Sequence, residues 1–236
     1  MDPPGLFGSG MMRRLLLCAV LLASPAQGGV LEDCTQTGDW WLRINACTQA
    51  IESGRWPGAS ASWAYSNRAV AYAALGNPLS AFDDHNQAVK LDPANASARN
   101  NKANTHADFR EYKRAIAEYS AAIRLRPDYA NALFNRAGVY YAVGQNAEAA
   151  ADYTSVIALV PEFGDAYAGR AEANCRLGKA AESVEDRLDA IRLETLTAEA
   201  VAGYLQEKGY LSAIPEPLTS EALTPPLTEW TGKGCP

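Results

Sequence analysis

The chain is poor in the residues that carry most enzyme chemistry, with two histidines and three methionines in 236 residues. Scarce histidine removes the commonest general base and metal ligand. No glycine loop that would cradle phosphate, no short-spaced cysteine and histidine set and no nucleophile elbow occurs. Asp83 and Asp84 are neighbours on a helical segment and point in different directions, which is poor geometry for shared acid–base work. The expectation is a protein that is not an enzyme and takes no metal or cofactor. An excess of positive charge is also lacking, since 21 lysines and arginines face 27 carboxylates and no basic tract occurs. Nucleic acid is therefore not an expected partner. Alternating strand patterns closed by hairpin turns are absent, so the chain reads as all-α.

Long apolar runs are missing as well. Leu15 to Ala23 falls short of the ~20 residues that a membrane span needs. Preceded by Arg13-Arg14 and followed by Ser24-Pro25-Ala26, it reads as a secretory signal cleaved after Ala26, with an upstream extension before Met11 or Met12. Residues 1–26 are thus an address, and the mature chain is expected in the periplasm or secreted, with no membrane span. Losing two arginines and one aspartate moves the net charge from −6 to −7.

Export makes the cysteines legible, because an oxidising compartment favours disulfides. Cys18 leaves with the signal, and Cys34, Cys47, Cys175 and Cys235 remain. Cys34 and Cys47 lie where an extended lead-in meets a helix predicted over Trp40 to Ser53. A disulfide there would staple the two, contributing ~3 kcal/mol in the chain-entropy account. The competing reading makes Cys47 a buried small residue of a half-repeat, since Ala46 to Ile51 reads like the second helix of a degenerate unit. Cys175 and Cys235 are left as a pair that no spacing argument supports.

What the chain has in abundance is self-similarity at a period of 34 residues. Residues 62–95, 96–129, 130–163 and 164–197 align without a gap. Position 8 reads Ala69, Ala103, Ala137 and Ala171; position 20 reads Ala81, Ala115, Ala149 and Ser183; position 27 reads Ala88, Ala122, Val156 and Ala190. Small residues at these positions let helices approach closely enough to interlock. Larger residues, among them Tyr72, Leu75, Tyr140, Val143, Tyr153 and Leu159, are expected to fill the rest of the core. Gly76, Gly144 and Gly178 mark tight turns between the two helices of a unit; Arg110 stands at that place in the second unit, where another turn geometry is expected. His85 and His106 fall where other units carry tyrosine, so both are read as core residues. Position 7 is always basic (Arg68, Lys102, Arg136, Arg170) and position 23 always acidic (Asp84, Glu118, Asp152, Asp186), either paired within a unit, paired across units, or separately solvated.

These residues resemble the tetratricopeptide repeat (TPR). The resemblance implies a right-handed helical solenoid with an N-terminal half-repeat at 27–61, four units at 62–195 and a C-terminal capping region at 196–236. It implies a non-catalytic scaffold or adaptor, placed by the export signal in the bacterial envelope, whose concave wall binds a peptide or helix of another envelope protein. Carrying over the family's wall positions gives Trp63 and Ser66 in the first unit, Asn100 and Asn104 in the second, and Asn131, Phe134 and Tyr141 in the third. Asparagines suit a peptide backbone and the aromatics suit apolar pockets. Part of that wall could instead be covered by the lead-in. Ser66 and Val70 stand where the subclass that grips carboxyl-terminal peptides has lysine and asparagine, which disfavours that ligand. In the tail, a helix is expected over Thr197 to Lys208, stopped by Gly209. Leu205 to Leu211, Leu218 to Leu223 and Trp230 also resemble a small peptidoglycan-binding-like domain, which would make the tail a cell-wall contact rather than a cap.

Overall fold

A computed structural model describes residues 29–36, 38–193 and 196–233; the export segment, Cys18 and Cys235 lie outside them. Two helices lead in, α1 (Gly29–Thr35) and α2 (Trp40–Glu52). Four helix pairs follow: α3 (Ser62–Ala74) with α4 (Pro78–Leu91), α5 (Ala96–Asp108) with α6 (Tyr112–Leu125), α7 (Ala130–Ala142) with α8 (Asn146–Leu159), and α9 (Gly164–Arg176) with α10 (Ala180–Arg192). The described chain ends with α11 (Ala198–Glu207) and α12 (Ser220–Gly232). Each pair packs on the next, and the first helices α3, α5, α7 and α9 also touch their successors, so they line one wall of a TPR-like solenoid.

Several helix starts follow from side chains that accept an otherwise unpaired backbone N–H. Asn77 accepts from Ser80 ahead of Pro78, Asn95 from Ala98, and Thr197 from Ala200. The turn inside the second unit departs from expectation. Arg110 adopts the left-handed conformation of its glycine counterparts, φ 59° against 71° at Gly76. The same two bonds close both turns: Arg110 N to Ala107 O and Glu111 N to His106 O, matching Gly76 N to Ala73 O and Asn77 N to Tyr72 O. Packing of the two helices dictates the turn, and the arginine bears the strain.

All twelve residues at positions 8, 20 and 27 are 0 % exposed, which makes them the seams along which the helices meet. Tyr119, Tyr153, Leu133 and Val156 fill the space between. Leu75, Val143 and Leu159, expected in the core, are instead 38–43 % exposed, because each sits at a helix end on the edge of the stack. Both histidines are buried. His85 meets the Thr105 hydroxyl at 2.9 Å, and His106 stacks on Phe82 with ring centroids 4.5 Å apart.

The charge rows pair within units. Arg68 with Asp84 and Arg136 with Asp152 form two-point contacts at 2.7 and 2.8 Å, Arg170 grips Asp186, and Lys102 meets Glu118 at 2.8 Å. The arginines also reach the preceding helix pair, Arg136 Nη1 donating to Ser120 and Arg170 Nη1 to Thr154. One planar guanidinium thus joins three helices through a fixed fork of donors that an ammonium lacks; Lys102 meets Glu118 and is supplemented by Arg99, which donates to Glu118 at 3.0 Å.

At the amino end Cys34 and Cys47 are disulfide-bonded with Cα atoms 4.8 Å apart. The lead-in is not extended there: Cys34 belongs to α1, and its carbonyl accepts from Arg43 Nε. Cys47 is at once bonded and fully buried, so its two readings are compatible. Cys175 is also disulfide-bonded. At the other end α12 packs on α10, and Val184, Leu205, Leu223, Leu227 and Trp230 form one apolar cluster over what would be the open face of the last unit. A solenoid needs such a cover. Leu205, Leu223 and Trp230, which carry the peptidoglycan-binding resemblance, are spent on this packing.

Candidate functional site: the wall of first helices

The wall opens between the second and third units. There α5 and α7 border a recess of about 470 Å3 whose lining includes Asn104, Asp108, Tyr119, Phe134, Asn135 and Gly138. Asn104 organises it. Its carbonyl accepts from the Tyr119 hydroxyl at 2.6 Å and from Asn135 Nδ2 at 3.1 Å. With that oxygen doubly used, the remaining groups are the Asn104 NH2 and the Asn135 carbonyl, neither hydrogen-bonded among the described residues. A donor and an acceptor side by side match the C=O and N–H of a peptide backbone. Phe134 supplies the apolar side, held edge-on to Tyr153 and tilted against Phe163 with centroids 5.6 and 4.9 Å away.

Burial raises the Tyr119 hydroxyl above its usual range, so it stays a neutral donor. Burial also raises Asp108, a carboxyl at the rim with no ion-pair partner among the described residues. The floor is Gly138, where an added Cβ would meet only the Tyr153 hydroxyl at 3.9 Å, an ordinary contact. Gly169, the other wall glycine, offers no such opening: a Cβ there would overlap the Tyr153 ring. With no asparagine at position 9 of the third unit, Tyr153 swings onto Gly169, whereas Tyr119 stays on Asn104.

The other residues expected on the wall are placed differently. Ser66 and Asn100 are 3 % and 5 % exposed, with Ser66 Oγ accepting from Asn101, so neither offers surface to a ligand. Trp63 turns its ring to Trp56, 5.3 Å away, within the cluster that holds the disulfide; the lead-in covers that stretch of wall. Asn131 is exposed at the start of α7 and does not line the recess. Tyr141 belongs to the next interval, its ring under the Arg176 guanidinium at 3.7 Å and its hydroxyl 3.5 Å from Glu172. Position 6 went unread in the sequence: Asn67, Asn101 and Asn135 each bond to a neighbouring helix pair, and only Asn135 does so inside the recess. The signal was present as an asparagine recurring every 34 residues and giving way to Gly169.

Among the described residues no group of three histidine, cysteine or acidic side chains could hold a metal ion, and no helix is long and apolar enough to cross a membrane.

Comparison with known proteins agrees with this architecture. A TPR repeat family model matches residues 111–144 and a tetratricopeptide repeat model matches residues 134–193. No curated protein sequence matches the chain. Among solved structures, MamA is 24 % identical with a TM-score of 0.59 over 69 % of this chain and 92 % of its own. MamA from Desulfovibrio magneticus RS-1 is 17 % identical, TM-score 0.60, over 71 % and 93 %. YrrB, described as a TPR protein with an unusual peptide-binding site, is 18 % identical, TM-score 0.58, over 71 % and 84 %. Identities this low carry the fold alone. Residues 111–193 therefore carry tetratricopeptide repeats by sequence, and the described helices stack as a TPR-type solenoid.

Proposed function

We propose that this chain is a non-catalytic scaffold of the bacterial envelope that holds a peptide or helix of another exported protein in the recess between α5 and α7. The observation that carries the reading is the unsatisfied pair in that recess, the Asn104 NH2 beside the Asn135 carbonyl, with Phe134 next to it and the Asp108 carboxyl at the rim. Such an arrangement binds main chain without demanding one side chain, and Asp108 favours a segment carrying lysine or arginine. Export is supported by the signal-like residues 13–26 and by the Cys34–Cys47 bond, which reducing compartments do not sustain. Two measurements test the proposal together. Mass spectrometry of envelope-fraction protein should find an amino terminus near Gln27. A photo-crosslinking residue at Ala142, at the edge of the recess, should join a partner protein from an envelope extract. An intact cytoplasmic chain, or crosslinks to isolated cell wall alone, would oppose the reading.

A further inference from the structure

A second cavity, of about 410 Å3, lies between the fourth unit and the cap. One side is apolar and aromatic, with Val201, Tyr204 and Leu205 on α11 and Leu227 and Trp230 on α12. Facing them are Glu172 on α9 and Arg187 on α10. Arg187 is only 5 % exposed, and its guanidinium lies over the Trp230 ring at 4.4 Å. Nη1 donates to the carbonyl and hydroxyl of Ser183, and Nη2 donates to Glu172 Oε1 at 2.6 Å. The Nε–H and the second Nη2 N–H have no acceptor among the described residues, and Trp230 Nε1 is buried without one.

Among the described residues, donors therefore outnumber acceptors at this wall. Its one carboxylate among the described residues, Glu172, has a side chain 51 % exposed and also receives the Tyr141 hydroxyl at 3.5 Å. The other acid nearby, Asp186, is committed to Arg170 and Asn174. Arg176 adds positive charge on the Tyr141 side. A cation out of water with one half-solvated counter-ion is poorly compensated, and burial does push Arg187 below its ordinary range. Covering the end of a solenoid requires apolar surface alone; it does not require a guanidinium with idle donors facing a cavity.

We propose that this cavity is a binding site for an apolar carboxylate, with an acyl chain or aromatic ring against Tyr204, Leu205 and Trp230 and the carboxylate on the unused N–H groups of Arg187. Its volume lies within the ~300–1,000 Å3 of small-molecule pockets. The same chemistry is offered by a free carboxylic acid and by the carboxyl end of a peptide with a large apolar last residue. The site is separate from the α5–α7 recess and does not depend on the function proposed for it.

Calorimetric titration of the full chain with octanoate, N-acetyl-L-phenylalanine and N-acetyl-L-phenylalaninamide tests this. At least one of the two acids should bind saturably, and the phenylalanine acid should bind about tenfold tighter than its amide, as a charged contact to guanidinium requires. Octanoate binding more tightly than the phenylalanine acid assigns the site to free acids; the reverse order assigns it to chain ends. Glu172→Gln removes the ligand's internal rival and should tighten acid binding several-fold. Val201→Trp fills the cavity and should abolish binding, while Gly138→Gln in the other recess should leave it unchanged. Equal affinity for acid and amide, no saturable binding of either acid, or weakening by Glu172→Gln would overturn the proposal.

Discussion

At the scale of single residues, two side chains hold states that their neighbours impose. Arg110 is the one non-glycine residue at positive φ among the described residues. A left-handed conformation costs an ordinary residue about 1–2 kcal/mol, part of which glycine returns through its freer unfolded chain. Arg110→Gly is therefore expected to stabilise the protein by about 0.5–1 kcal/mol, read as a higher urea midpoint at unchanged slope. His85 is the second case. Thr105 Oγ1 donates to Asn101 O, so it accepts from the Nε2–H of His85, and Nδ1 is buried without a donor. Burial lowers the His85 pKa from 6.5 to about 3. Between those values the unfolded chain takes a proton that the folded chain refuses, so this contribution is complete above pH 6.5 and declines as pH falls toward 3. The loss from pH 7 to pH 5 should be about 2 kcal/mol. His85→Gln, which keeps a hydrogen-bonding group for Thr105 but cannot titrate, should remove that share in denaturant melts at the two pH values. That His85 is a core residue was legible from its repeat position. That Arg110 would copy a glycine was not, because turn geometry here is set by helices meeting at Ala103 and Ala115, and local propensity is overridden.

At the scale of helices, the 34-residue frame gave the pairing of charges its test. Arg136 and Asp152 have side chains 17 % and 10 % exposed and two short contacts, so water screens them far less than a surface pair. A double-mutant cycle with Arg136→Ala and Asp152→Ala should show coupling of about 1–3 kcal/mol, above the 0.2–1 typical of exposed pairs. Additivity within error would show two independent rows. Arg136→Ala alone should be the costlier single change, because it strands the more deeply buried carboxylate and also removes the tie to Ser120 on the preceding pair. Helix α12 shows the limit of reading elements from sequence. Pro225 and Pro226 lie inside it and remove two backbone donors, so propensity argues against a helix that tertiary contacts of Leu223, Leu227 and Trp230 nevertheless hold.

At the scale of the whole molecule, stacking decides which wall residues are free. The repeat period placed Asn104 and Phe134 on the open wall, and they do border one recess. It could not show that Ser66 and Asn100 would be buried between adjacent helices or that Trp63 would face Trp56, because both outcomes depend on neighbours far along the chain. The cavity at the cap was illegible for the same reason, as Glu172, Arg187, Tyr204 and Trp230 converge only after four helices pack. Truncating Phe134 is a poor probe of binding, since its ring supports Tyr153 and Phe163 and its loss would also cost stability. Gly138→Gln is a cleaner probe: it puts a side chain into the recess, removes no contact, and replaces a helical glycine, which gains up to ~1 kcal/mol of helix preference. The most direct test is the affinity of wild-type and Gly138→Gln chains for the crosslinked partner, with thermal unfolding of both run alongside. The expected result is binding weakened by about tenfold or more with an unfolding midpoint equal to or above wild type. Unchanged affinity for the blocked chain, with binding lost instead on substituting Glu118 or Asn86 on the second helices, would contradict the assignment of the recess as the binding site.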